Sequence, residues 1–356
     1  MYSIDEVLTF IAQEDVKFIR LTFFDIFGRQ KNVSVMPNML ERAFREGMSV
    51  DAGGIDGLGG EVRLVPDPST LAVLPWRPSH GRVVRMYCAI FRPDGAPHEA
   101  DSRALLAAAA ARARKAGLAV EADSRASFYL LKTDEHGGVT DEPFDRAGYM
   151  DVYPDDLGEN VRRAICLAME EMGLVPRASR HEAGPGQNGI DYAPDSPAAA
   201  ADDAMTFRWV VKSVSMQNGL YADFSPAPIA GAPGNELRLS LTVPGGAADG
   251  FYAGILRYLP DMATFLCPSA AAFGRGLTAG VRDGRLTLRL PDPSADPYLV
   301  TALLLLAGLE GTDGKAPPAV PASAAEAKAR AEKSAFLARQ LPGCYLAAYT
   351  DAARLR

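Results

Sequence analysis

Carboxylates, one histidine and a group of arginines carry the chemistry that this chain of 356 residues could do. Glu182 follows His181 inside Arg180-His-Glu-Ala-Gly-Pro-Gly-Gln-Asn-Gly-Ile-Asp-Tyr192. Carboxylate oxygens suit a hard divalent cation, and an ion-paired or exposed strand residue is the plainer reading of Glu182. Glu121 and Asp123 form a second acidic pair. Arg275, Arg285 and Arg289 lie close in sequence, and three guanidinium groups brought together suit phosphate or carboxylate. Asp51 sits in the glycine-rich turn Val50-Asp-Ala-Gly-Gly-Ile55, where aspartate is common for backbone reasons. His80, His98 and His136 have no metal-ligand spacing and are expected at the surface. Cys88, Cys166, Cys267 and Cys344 form no CxxC pair, which fits reduced thiols rather than a zinc site.

These residues need elements to position them. Ser3-Ile-Asp-Glu6 is a capping box, so a short helix is expected to about Glu14. Lys17–Phe23 and Gln30–Val35 alternate and predict a hairpin. Further strands are expected at Val62–Leu64, Leu71–Leu74, Arg82–Ile90, Phe128–Lys132, Leu237–Val243 and Leu286–Leu290. Pro93-Asp-Gly-Ala-Pro97 is dense in turn formers and marks a domain boundary, giving domains 1–97 and 98–356. Helices are expected over Ser102–Ala116, Leu157–Gly173, Ala199–Asn218 and from Pro297 to about Leu309, the last capped by Asp296. Leu157–Gly173 carries an apolar stripe of Val161, Ile165, Ala168 and Met172. A Pro/Ala-rich linker, Gly314–Ala322, precedes one helix over Ser323–Leu341. Tyr149 and Tyr153 read as the edge of a core. The pattern suggests an α+β fold, an antiparallel sheet with helices on one face.

Bulk properties exclude some partners. The net charge of -7 argues against nucleic acid and anionic membrane. The longest apolar runs, Ala104–Ala111 and Leu299–Leu309, are too short to span a bilayer. The N-terminal residues lack the pattern of a signal peptide. A cytoplasmic protein is expected.

Several separated blocks resemble the glutamine synthetase family, bacterial type I. Val16–Gly28 resembles the first hairpin of its small β-grasp domain, and Leu74-Pro-Trp76 and Phe91–Gly95 match later strands of that domain. Tyr149–Asn160, Arg180–Tyr192, Met205–Lys212 and Asp292–Leu299 are similar to blocks of its catalytic domain. The resemblance implies a β-grasp domain followed by a glutamine synthetase-type catalytic domain. It implies Mg2+ and ATP as cofactors, a γ-glutamyl phosphate intermediate, ammonia as nucleophile and a ring-like homo-oligomer.

Carried over by position, the resemblance implies a depleted site. Glu182 and Glu236 stand at metal-ligand positions. The other ligand positions fall on Arg125, Ser127, Gly189 and Thr287. Asp51 matches an ammonium-site aspartate, and Arg275 an arginine that contacts the substrate carboxylate. Arg238, Ser240, Arg285 and Arg289 fall on the nucleotide side. Ala227 replaces a lysine. Gly276–Gly284 stands where a long flap loop carries a glutamate, so the flap is expected to be deleted, and the C-terminal part is expected to be shortened. Two functions follow. One is a degenerate homologue that binds a small carboxylate or phosphate, or another subunit, in regulation or assembly. The other is a divergent ATP-dependent carboxylate–amine ligase with a reduced metal site.

Overall fold

The computed structural model describes residues 2–77, 80–245, 248–311 and 318–351. By its contacts the chain divides into two units, Met1–Leu105 with Glu171–Gly173, and Leu106–Glu170 with Leu174–Arg356.

In the first unit, helix α1 (Ile4–Gln13) starts at the capping box. Glu6 N donates to Ser3 Oγ, and Ser3 N donates to the Glu6 carboxylate at 2.6 Å. Strand β1 (Val16–Phe24) pairs antiparallel with β2 (Gln30–Val35), and Ile19, Leu21 and Phe23 fill the core. Helix α2 (Leu40–Glu46) leads into β3 (Met48–Asp51), then β4 (Glu61–Pro66), β5 (Ala72–Val73) and β6 (Arg82–Phe91). The sheet runs β2-β1-β6-β4-β3, with β5 beside β6 and β1 parallel to β6. Helix α3 (Ser102–Lys115) spans the boundary, and most of it belongs to the second unit.

The second unit is built on one eight-stranded sheet. Its strands are β7 (Glu121–Thr133), β8 (Val139–Pro143), β9 (Pro176–His181), β10 (Gln187–Tyr192), β11 (Leu220–Asp223), β12 (Leu237–Thr242), β13 (Thr278–Arg282) and β14 (Arg285–Leu290). The order is β13-β14-β12-β7-β10-β9, all antiparallel, with β8 and β11 also on β7. Between the strands lie α4 (Glu159–Glu171), α5 (Pro197–Gln217) and α6 (Ala248–Leu266). After the last strand come α7 (Pro297–Glu310), α8 (Ala324–Glu332), α9 (Ala335–Gln340) and α10 (Gly343–Thr350).

Strand alternation decides which face is buried. Leu237, Leu239 and Leu241 on β12, and Leu286, Leu288 and Leu290 on β14, are all buried. Each such leucine contributes roughly 1.5–3 kcal/mol. Helix α5 packs on β7 and β11, and α7 packs against α5 and α6. Tyr298 to Ala307 of α7 are buried all round, as a helix apolar on every side must be. The opposite positions of the same strands are polar and carry the candidate site.

Five expectations change. The strand expected at Phe128–Lys132 extends back to Glu121, because the residues before Phe128 pair with β12. Residues 278–282 form β13, and residues 248–266 form α6; neither was expected. The single helix expected over Ser323–Leu341 is two, broken where Ser334 caps α9 by accepting from Leu337 N. Tyr149 and Tyr153 are exposed, not edges of a core. The expected linker Gly314–Ala322 lies partly outside the described residues. Among the described residues, no helix is long and apolar enough to cross a membrane.

Candidate functional site

One face of the second unit's sheet collects most of the singled-out residues. Alternation places Arg285, Thr287 and Arg289 of β14 on one face. Cross-strand pairing sets Arg238 against Arg289 and Ser240 against Thr287 on β12. Arg125 lies opposite Arg238, and Asp123 opposite Ser240, on β7. Ser127 then faces Gly189 of β10, which faces Arg180 of β9. Glu236 enters just before β12, where Glu236 N donates to Ser127 Oγ at 2.9 Å. Glu182 follows β9 and comes to the same place.

Four carboxylates on this face, Asp123, Glu182, Asp191 and Glu236, are held by arginine. Arg125 Nη2 donates to Glu182 Oε1, and Arg125 Nε lies 3.0 Å from Asp191 Oδ1. Arg180 binds the same two acids, at 3.2 Å to Glu182 and 2.8 Å to Asp191. The bond to Asp191 holds the Arg180 guanidinium pKa above its usual value. Arg289 grips Glu236 through Nε at 3.0 Å and Nη2 at 3.1 Å, and Arg238 adds a third bond at 3.1 Å. Arg285 pairs with Asp123. Gly189 is essential to this packing. A Cβ there would lie 2.3 Å from Glu182 Oε1 and 3.2 Å from Arg125 Nη2. The Arg125–Glu182 pair thus fills the space that a longer residue at 189 would take.

A buried polar scaffold lies behind the face. His181 Nε2 lies 2.8 Å from an Asp145 carboxylate oxygen, and its Nδ1 lies 2.7 Å from the Glu182 carbonyl oxygen. Both partners are oxygen acceptors, an arrangement that favours the imidazolium form of His181. Burial opposes that charge, yet the bonds to Asp145 and to the Glu182 carbonyl raise its pKa above the usual value. Arg162 donates to Asp156, and to Asn188 Oδ1 at 2.6 Å. Ligand atoms of Asp145, Asp156 and His181 lie within 4.8 Å of one another. That grouping is two carboxylates matched by His181 and a guanidinium. Both acids already have ion-pair partners, so it reads as an ion-pair cluster rather than a metal site.

The remaining site residues are placed as follows. A short 3-10 helix, Ala270–Arg275, carries Arg275 over Gly234, where a Cβ would meet its Nη1 at 1.7 Å. Arg275, Glu236 and Arg289 line one concavity. Nearby, Tyr129 OH donates to the Pro233 carbonyl at 2.5 Å, and burial pushes that phenol up to about 12. Ser240 is buried, its hydroxyl 3.2 Å from that of Thr287. Between Arg275 and β14 the chain makes β13 and a turn at Asp283-Gly284, both at positive φ as a tight hairpin requires. Asp51 belongs to the first unit, where its carboxylate accepts from Gly53 N at 2.9 Å. Arg177, Arg180 and Asp191 were given no role from sequence. Alternation puts Arg180 and Asp191 on one face, whereas Arg177 reaches the same concavity at the register shift between β9 and β10, which no sequence pattern marks.

The glutamine synthetase catalytic-domain description matches residues 99–283 and 276–352, and its beta-Grasp domain matches residues 15–93. The chain belongs to the glutamine synthetase family. It is 36% identical over 363 residues to the glutamine synthetase of Clostridium saccharobutylicum, covering 89% of this chain and 81% of that one. It is 32% identical over 392 residues to that of Thermus thermophilus, covering 96% and 87%. In fold it is similar to a GmaS chain solved as an ADP complex, with TM-score 0.85, 23% identity, and 97% and 94% covered. A novel glutamine synthase homolog gives TM-score 0.79 at 23% identity, with 94% and 92% covered.

Glutamine synthetase family members normally use ATP and divalent metals. Here the donors do not fit a two-cation cluster. Asp123, Glu182, Asp191 and Glu236 are each bound by guanidinium groups, and Arg125 lies where a cation beside Glu182 would be repelled.

Proposed function

We propose that this glutamine synthetase-family protein does not carry out metal-dependent glutamate–ammonia ligation and acts as a binding homologue in regulation or assembly. The observation that carries this reading is the Arg125–Glu182 pair in the space beside Gly189. Phosphoryl transfer from ATP relies on divalent cations to neutralise the developing charge. Guanidinium groups already committed to carboxylates are a poor substitute for a mobile Mg2+ that bridges phosphate oxygens. The compact β13–β14 hairpin agrees with the reading, because an acyl phosphate open to water hydrolyses. Glutamine synthetases are generally oligomeric, and we expect a ring-like homo-oligomer, with Asp51 at its ammonium-site position only by resemblance.

A second reading is a divergent ATP-dependent carboxylate–amine ligase with a reduced metal site. On its side stands one observation, that Arg275 and Arg289 still gather at Glu236. The ADP of the GmaS structure makes a nucleotide the ligand to try first. A coupled phosphate-release assay with Mg·ATP, glutamate and ammonia separates the two. We expect no release above the rate without glutamate. Glutamate-dependent turnover that is lost in Glu236→Gln would overturn the first reading.

A further inference from the structure

The arginines on this face outnumber its acids. A concavity of about 440 Å³ is lined by Arg125, Arg177, Arg238, Arg285 and Arg289, against Asp123 and Asp191 alone. Arg289 also lines the neighbouring concavity, which adds Arg275 and Glu236. With the ion-paired Arg180 and Glu182 beside them, seven arginines thus meet four carboxylates in and around these two concavities, on a chain of net charge -7. Among the described residues, Arg177 and Arg275 have no ion pair. The Nε of Arg238 is buried without a hydrogen-bond partner, and the Ser240 and Thr287 hydroxyls supply further donors.

We propose that this face binds a small, multiply charged oxyanion through guanidinium groups alone, with no divalent cation between ligand and protein. The inference rests on the reading that the cation cluster has been replaced. Its physical basis is geometric and electrostatic. Guanidinium groups match phosphate and carboxylate oxygens in bidentate fashion. The same positive field repels a free cation. The two site designs therefore predict opposite responses to Mg2+. In a metal-bridged site Mg2+ strengthens the binding of a polyphosphate. Here Mg2+ competes for the ligand's oxygens and lowers its charge, so it weakens binding.

The test is isothermal titration of the full chain with pyrophosphate and with glutarate, first in EDTA and then in excess Mg2+. At least one anion is expected to bind in EDTA. Pyrophosphate alone would identify a phosphate ligand, glutarate alone a dicarboxylate, and either result supports the proposal. Excess Mg2+ is expected to weaken pyrophosphate binding by about tenfold. Arg285→Ala should weaken the bound anion by about tenfold. Arg177→Ala should do so while leaving every ion pair of the face intact, so loss of folding cannot mimic the effect. Binding of neither anion, binding that requires Mg2+, or unchanged affinity in both variants would overturn the proposal. Failure here without ligase turnover overturns only this inference. Glutamate-dependent turnover overturns the proposed function itself.

Discussion

Arg162→Met is expected to destabilise the protein by about 3–5 kcal/mol, because it strands a buried carboxylate. The Arg162 and Asp156 side chains are 5% and 2% exposed, and the guanidinium also holds Asn188. Methionine keeps much of the volume and removes all of the charge. Asp156 is then left among Asp145 and the β9–β10 turn with only His181 to balance two acids. Asn188 loses its donor one residue from Gly189, so the disturbance reaches the arginine-lined face. Denaturant unfolding of wild type and variant, with equal slopes, measures the loss. Adding Asp156→Leu should recover part of it, since removing both partners of a buried pair costs far less than removing one. A loss below about 1 kcal/mol would mean that the cluster is not held by this pair.

Gly189→Glu, which puts a carboxylate where the resemblance implies a metal ligand, is expected to cost about 2–4 kcal/mol and to create no metal site. The new Cβ would lie 2.3 Å from Glu182 Oε1 in a buried position. The added charge would then crowd Glu182 and Asp191, which Arg125 and Arg180 already share. Gly189→Ala separates the two causes. It carries only the steric part, about 1–3 kcal/mol. Thermal unfolding at fixed pH, with and without Mg2+, reads both variants. A Gly189→Glu protein as stable as wild type, and further stabilised by Mg2+, would show that the pocket at 189 still accepts a cation.

Much of the architecture was legible because local rules govern it. The Ser3–Glu6 capping box, the β1–β2 hairpin and the stripe on α4 depend on neighbours a few residues apart, and each formed. Alternation in β12 and β14 likewise announced a leucine face and an arginine face. What stayed hidden depends on distant partners. Asp145 meets His181 from 36 residues away, and Arg162 meets Asn188 from 26. Nothing local marks those four as one buried cluster. Helix α6 was masked by Gly250, Gly254 and Pro260, residues that punctuate an isolated segment. In the fold Gly254 instead lets α6 approach the α7 backbone, where a Cβ would meet the Ala307 carbonyl at 2.5 Å. The site was half visible. The positions of Glu182, Arg125 and Gly189 could be placed by resemblance, but their joining into an ion pair required the strand register.

Mn2+ titration of the wild-type protein, followed by electron paramagnetic resonance, with Glu182→Gln and Glu236→Gln alongside, bears most directly on the proposed replacement of a cation cluster by arginine–carboxylate pairs. The expected result is binding no tighter than ~1 mM, the same in all three proteins. A site filled at about 10 µM Mn2+ and abolished by Glu182→Gln or Glu236→Gln would contradict it.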